Sequence, residues 1–205
     1  MKKYIVIVLL LLCSSPAYSF RPFILHSGKN KVKVIEFYTS EACEKCEAPE
    51  KWLGNLRSDK GLFKKFIVVS RKKDSGDLPS FVVDGEEMPW DENKLPDLSS
   101  EKPEEVGDLS VARNRLKEFE ITFSPKAKLD KVDINVALLG SGVSNFVVLE
   151  FVTKSLRKSG NIFSGHVKLE MAKNPDVKTY STVFWTTEGD SLKPIQAVGG
   201  DIKLE

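Results

Sequence analysis

The stretch IEFYTSEACEKCEAPE, residues 35–50, decides how the N-terminal half is read. It sets Cys43 and Cys46 two residues apart, directly behind an apolar run. That run, VKVIEFY at 32–38, is rich in β-branched and aromatic side chains and reads as a strand. Thr39 and Ser40 follow, both residue types that start helices by accepting hydrogen bonds from free backbone N–H groups. EACEKCEAPEKWLGNLRSDKGLFKKF, 41–66, then reads as a helix, with Trp52, Leu53 and Leu56 on one apolar face. Pro49 falls near its start, where proline is tolerated or bends the helix. FIVVS, 66–70, is the next strand.

Two cysteines at this spacing can be a redox pair, two metal ligands or a structural disulfide. A structural bridge helps most when it closes a long loop, and a two-residue gap closes almost nothing. Strand, CxxC at a helix start, strand is the pattern of a thioredoxin-like redox motif. The chemistry agrees. A cysteine at a helix N-terminus lies beside unpaired N–H groups and the positive end of the dipole. Both favour thiolate, the species that attacks disulfides. By position, Cys43 is the exposed nucleophile and Cys46 the resolving thiol. Glu41, Glu44 and Glu47 surround the pair with only Lys45 against them, which predicts a less acidic nucleophile and a more reducing couple unless solvent screens them. Glu36 alternates with Val32, Val34 and Tyr38 on one face of its strand. If that face is inward, its carboxylate is a candidate to move a proton at Cys46.

Further on, SFVVDG, 80–85, reads as a strand ending in an Asp-Gly turn, with Pro79 at its start. Opposite a CxxC helix, Pro79 is a candidate cis proline whose loop offers backbone groups to a substrate. EEMPWDENKLPDLSSEKPEEVG, 86–107, is acidic, holds three prolines and keeps no period, so a surface loop is expected, with Trp90 latched onto the domain. Leu109, Ala112, Leu116 and Phe119 then fit one face of a closing helix over 108–119.

The chain begins MKKYIVIVLLLLCSSPAYSF. A basic start, a short apolar run and small residues at 17 and 19 form the pattern of a secretory signal, with cleavage expected after Ser19. Lipidation at Cys13 is the alternative, disfavoured by the bulky Leu12. The apolar run is short for a membrane span, and no stable membrane insertion is expected after cleavage. Removing residues 1–19 takes Lys2 and Lys3 from 31 basic residues, leaving 29 against 29 acidic ones. A balanced chain gives no sign of a nucleic-acid surface, which needs clustered Lys and Arg, and no nucleic-acid partner is expected. Cys43 and Cys46 are then the only cysteines left, in a compartment where disulfides persist.

From residue 120 the pattern changes. EFEITFSP, KVDINVALLG, NFVVLEFVT, NIFSGHVKLEMAK, KTYSTVFWTTE and PIQAVGGDIKLE read as six strands of an antiparallel sandwich-like domain. Phe184 and Trp185 fall in mid-strand and read as core. His26 and His166 are the only histidines. Either could join the cysteines around copper or zinc only if the fold brought them together. No cofactor-binding motif is present: no GxSxG, no HExxH, no phosphate-binding glycine loop.

Residues 35–49 resemble the opening motif of a family of secreted bacterial proteins of unknown function with a thioredoxin-like domain. That motif runs roughly Glu-Leu-Phe-Thr-Ser-Gln-Gly-Cys-Ser-Ser-Cys-Pro-Pro, and Glu36, Thr39, Ser40, Cys43, Cys46 and Pro49 match it. LPSFVVDG is similar to a second family patch through Pro79, Val82, Val83, Asp84 and Gly85. EVGD at 105–108 and LKPIQAVGGDI near the C-terminus resemble later parts. An aromatic segment and a helical stretch common in the family are replaced here by RKKDSGD, and a Gly-Glu-Asn block of the second half is reduced to SGN at 159–161. The resemblance implies fold and compartment more than reaction.

Together these features predict an α+β protein: a signal peptide over 1–19, a thioredoxin-like α/β domain over 20–119 with a loop insertion near 86–107, and an antiparallel β-rich, sandwich-like domain over 120–205. The expected function is a periplasmic or secreted thiol–disulfide oxidoreductase. It would act on protein or small-molecule disulfides and thiols through Cys43 and Cys46, with Glu36 and Pro79 assisting and no cofactor. The alternatives are a non-catalytic envelope or binding protein, and metal handling by the two thiolates.

Overall fold

The computed structural model describes residues 23–73, 77–91, 98, 104–114, 116–142 and 145–204. The expected signal peptide, Cys13 and parts of the expected loop at 86–107 lie outside the described residues. Among the described residues there are thirteen strands and one α-helix: β1 (Ile24–His26), β2 (Lys33–Thr39), α1 (Glu47–Leu56), β3 (Phe66–Lys72), β4 (Ser80–Val83), β5 (Glu86–Met88), β6 (Gly107–Arg113), β7 (Glu118–Pro125), β8 (Val132–Ser141), β9 (Val147–Ser155), β10 (Arg157–Ser159), β11 (Ile162–Lys168), β12 (Thr179–Glu188) and β13 (Pro194–Ile202). They form a five-stranded sheet, β1-β6-β7-β11-β10, and an eight-stranded sheet, β13-β12-β8-β9-β3-β2-β4-β5.

The α+β expectation, with a thioredoxin-like domain of its own, is therefore overturned: the described residues are nearly all β, with one short helix among them. Two local causes account for this. First, the helix expected over 108–119 is the hairpin β6–β7. Leu109 and Val111 are buried while Asp108 and Ser110 are not, a period of two that outweighs the helical spacing of Leu109, Ala112 and Leu116. Leu116 is exposed in the turn, where Asn114 Oδ1 accepts hydrogen bonds from the N–H groups of Leu116 and Glu118. The boundary expected at 119/120 falls inside β7.

Second, the strand–helix–strand unit β2–α1–β3 does not close into a sheet of its own. Its parallel strands pair from Lys33↔Phe66 to Thr39↔Lys72. β3 then pairs with β9 through Ser70↔Val147, which continues the sheet into the C-terminal strands. On the other side β4 lies antiparallel to β2, and the Asp84-Gly85 turn leads into β5. Both turn residues have positive φ, 51° and 81°, which explains the Asp-Gly pair.

The six strands read in the C-terminal half are all present. One core lies between the two sheets and includes Leu109, Ile121, Phe123, Val136, Phe163 and Phe184. A second core includes Ile35, Phe37, Leu53, Val69, Phe81 and Trp185. The eight-stranded sheet curls until the β12–β13 loop reaches the β4–β5 turn. Lys193 Nζ stands 2.9 Å from Glu86 Oε1, and a Cβ on Gly85 would lie 3.0 Å from Lys193 Cα. Gln196 on β13, fully buried, fastens the curl. Its Oε1 accepts from Val32 N at 2.9 Å, and its Nε2 donates to the carbonyls of Gly28, Asn30 and Gly107.

Candidate functional site

Cys43 and Cys46 form a disulfide with Cα atoms 5.4 Å apart. The chain leaves β2 at Thr39 and turns tightly. Cys43 N donates to Ser40 O at 3.2 Å, and Cys46 N donates to Cys43 O at 3.1 Å. A 3-10 turn over Glu44–Cys46 leads directly into α1. The helix is much shorter than the sequence suggested. Thr39, expected to cap it, donates its hydroxyl to Glu50 Oε1 at 3.1 Å instead. This bond ties the end of β2 to the first turns of the helix. Pro49, the third residue of α1, is buried and needs no N–H partner there.

The two sulfur-bearing residues differ in access. Cys46 is 2% exposed and belongs to the core, whereas Cys43 is half-buried at its margin. A partner sulfur can reach Cys43 more readily than Cys46. Trp52 on α1 lies edge-on to Phe81, and Trp90 stacks on Phe81 with centroids 5.2 Å apart. Trp90 is therefore the latch the sequence suggested.

Glu44, Glu47 and Lys45 are exposed. Glu41 is not alone, because Lys72 Nζ approaches its Oε1 at 2.5 Å and holds its carboxyl below the usual range. The apolar run FIVVS, 66–70, does not announce Lys72. Extending β3 by two residues, in parallel register with β2, sets Lys72 beside Thr39 at the end of the sheet where the disulfide lies.

The Leu78–Pro79 peptide bond is cis. Tyr38 pairs with Ser80, so Pro79 is one step beyond that pair, at the end of the sheet from which the cysteine loop leaves. The structure thus brings Cys43, Cys46 and Pro79 to one end.

Glu36 is not part of this group. On β2, Phe37 meets Phe81 and Thr39 meets Glu50, so the odd-numbered side chains face α1. Glu36 and Tyr38 face the other way. There Glu36 Oε2 pairs with Arg71 Nε at 3.1 Å and accepts from the Tyr38 hydroxyl at 3.1 Å. A strand's strict alternation explains the misplacement: Val34 shares the face of Glu36, and its burial belongs to the inside of the curl rather than to the helix side. Burial and the Glu36 carboxylate together push the Tyr38 phenol above its ordinary value of 10.0, while Arg71 opposes the rise.

Glu36 instead lines a cleft of about 630 Å³ inside the curl, with Arg71, Asn135, Phe151, Trp185 and Asp190 among its walls. Sequence reasoning missed this cleft, because its residues come from seven strands and the β12–β13 loop and meet only through the order of the sheet. His26 and His166 are exposed on β1 and β11 of the other sheet. Among the described residues, no three His, Cys, Asp or Glu side chains gather in a way that could hold a metal ion. No helix among them is long and apolar enough to cross a membrane.

No protein-family model matches this chain, and no curated protein matches it in sequence. Two solved structures are similar in fold. HBP35 of Porphyromonas gingivalis shares 13% identity at a TM-score of 0.58, covering 84% of this chain and 76% of its own. Protein AGR_C_4864 from Agrobacterium tumefaciens also shares 13% identity, at a TM-score of 0.50, covering 86% of this chain and 98% of its own. Neither name states an activity, and at this identity the likeness is one of fold: the chain shares its architecture with bacterial proteins of undefined reaction.

Proposed function

We propose that this chain is an exported thiol–disulfide oxidoreductase working through Cys43 and Cys46. The observation that carries the proposal is the difference in access within the disulfide, with Cys43 at the surface margin and Cys46 2% exposed. In the reduced state the Cys43 thiolate attacks one sulfur of a partner disulfide. A Cys43–partner bond forms and the other partner sulfur leaves as thiolate. Cys46 then attacks Cys43 Sγ, re-forms the internal bridge and releases the second partner thiolate. Two electrons pass from the cysteine pair to the partner, and the released thiolates take protons from water. The helix N-terminus supports the Cys43 thiolate, and Pro79 lies at the same end of the sheet as the pair.

The proposal rests on the site and not on the fold, since one scaffold hosts many functions. Its test is the reduction potential of the pair, from equilibration with glutathione or dithiothreitol buffers and trapping of free thiols. A reversible couple between about −270 and −180 mV supports it. A bridge that opens only when the protein unfolds would overturn it. That second result favours a non-catalytic binding protein, a reading the cleft on the opposite face of the sheet also suits.

A further inference from the structure

The cleft inside the curl has the makings of a second site, separate from the cysteines. Its floor is aromatic. Trp185 is nearly buried, Phe151 is 39% exposed, and their rings lie 5.7 Å apart. The Arg71 guanidinium lies on this floor, 4.4 Å from the centre of the Phe151 ring and 5.8 Å from that of Trp185. Stacking there fixes the plane of the fork and strips part of its water. Of its five donors, Nε faces Glu36. Among the described residues no other acceptor engages the guanidinium. Lys73, two residues on and over the Tyr38 ring at 5.7 Å, adds a second cation to the same wall.

The rest of the lining is largely satisfied from within. Thr153 donates to Asn135 Oδ1 at 2.8 Å, and Asn135 Nδ2 donates to Thr187 at 3.3 Å. Asp133 accepts from Ser155 at 2.5 Å, and Lys131 stands 3.8 Å from both Asp133 and Asp190. Lys131 thus offsets part of the charge of Asp133 and Asp190, while Glu87 adds a further carboxylate to the lining. The free Arg71 donors, in contrast, match the two oxygens of a carboxylate.

We propose that this cleft binds an organic carboxylate with an apolar body. Its oxygens would meet the terminal nitrogens of Arg71 with help from Lys73, and its body would rest on Phe151. Glu36 limits affinity by sharing the Arg71 charge.

Calorimetric titration of the oxidised protein with 3-phenylpropionate, against the neutral 3-phenylpropanol, tests this. The acid is expected to bind at one site and the alcohol about tenfold or more weaker, the loss of a charged hydrogen-bonded pair. Arg71→Met is expected to abolish binding of the acid. Glu36→Gln is expected to tighten it several-fold, because it frees the guanidinium. The paired signs matter, since a merely damaged cleft weakens in both variants, and Glu36→Gln alone still decides if Arg71→Met does not fold. Equal affinity for acid and alcohol, absence of saturable binding of the acid, or weaker binding in Glu36→Gln would each overturn the proposal. None of these outcomes depends on whether the cysteines are redox-active.

Discussion

Glu36 and Cys46, ten positions apart in the chain, are served by opposite faces of the same sheet: Glu36 points into the curl beside Arg71, and Cys46 packs under α1. A carboxylate so placed cannot exchange a proton with the buried thiol. Glu36→Gln is therefore expected to leave the midpoint potential of the cysteine pair within about 10 mV of the parent. Redox titration of both proteins checks this, and a larger change would restore Glu36 to the cysteine chemistry.

Lys72 is the cation that β3 brings to the cysteine side, in addition to Lys45 of the loop. It pairs with Glu41, two residues before Cys43. Lys72→Met leaves the Glu41 charge unbalanced, which disfavours a thiolate nearby. Alkylation of reduced Cys43 by iodoacetamide at neutral pH is expected to slow by about twofold at low salt, an effect that shrinks as salt screens this exposed pair. An unchanged rate at low salt would show that solvent already neutralises Glu41.

Tyr38 reports on the cleft. Its phenol titrates above 10.0 because of burial first and the Glu36 charge second. A folded-state value raised above the unfolded one contributes stability that is complete below about pH 10 and lost as pH rises through the raised value. Glu36→Gln removes the charge and is expected to move the Tyr38 transition down. Arg71→Met removes the opposing cation and is expected to move it up. Ultraviolet titration of tyrosinate, with Tyr38→Phe to assign the signal, reads both directions.

Gln196 is fully buried and makes five hydrogen bonds, including one from the N–H of Ala197. Gln196→Leu has similar bulk but removes the side-chain partner of Val32 N and of the Asn30 and Gly107 carbonyls, while the Gly28 carbonyl keeps the Ser27 hydroxyl. A loss of about 4 kcal/mol is expected. Urea unfolding followed by circular dichroism measures it. A loss under about 1 kcal/mol would mean that water replaces the side chain.

Trp90 is held against Phe81 and Trp52. Trp90→Ala is expected to cost about 2 kcal/mol, less than a fully buried tryptophan because the residue is only partly covered. The same urea measurement applies, and an unaltered midpoint would show that the stack adds nothing.

What the sequence revealed follows the range of each signal. The strand at 32–38, the Asp84-Gly85 turn and the six C-terminal strands rest on local alternation and turn chemistry, and they were legible. The helix expected at 108–119 was not ruled out by spacing, because Leu109, Ala112, Leu116 and Phe119 satisfy a helical period as Leu109 and Val111 satisfy a strand's. The pairing of β6 with both β1 and β7 decided it. The nearness of Cys43 to Cys46 and the place of Pro79 at a strand start were legible because both signals are local. The face taken by Glu36 was misjudged because both faces of β2 are largely buried, by the helix on one side and by the curl on the other. The Arg71–Phe151–Trp185 stack joins three strands far apart in sequence, and no local pattern announces it.

Gln196 also sets an order of events. Its partners at Gly28 and Val32 precede it by 168 and 164 residues. A growing chain has made its cysteine loop long before residue 196 exists. Until then Lys29 and Lys31 can already pair with Val106 and Glu104, but the Gln196 bonds to Gly28, Asn30 and Val32 cannot form, and the curl that separates the two faces is not fastened. The frame around the disulfide region is therefore completed only by the last strand of the chain.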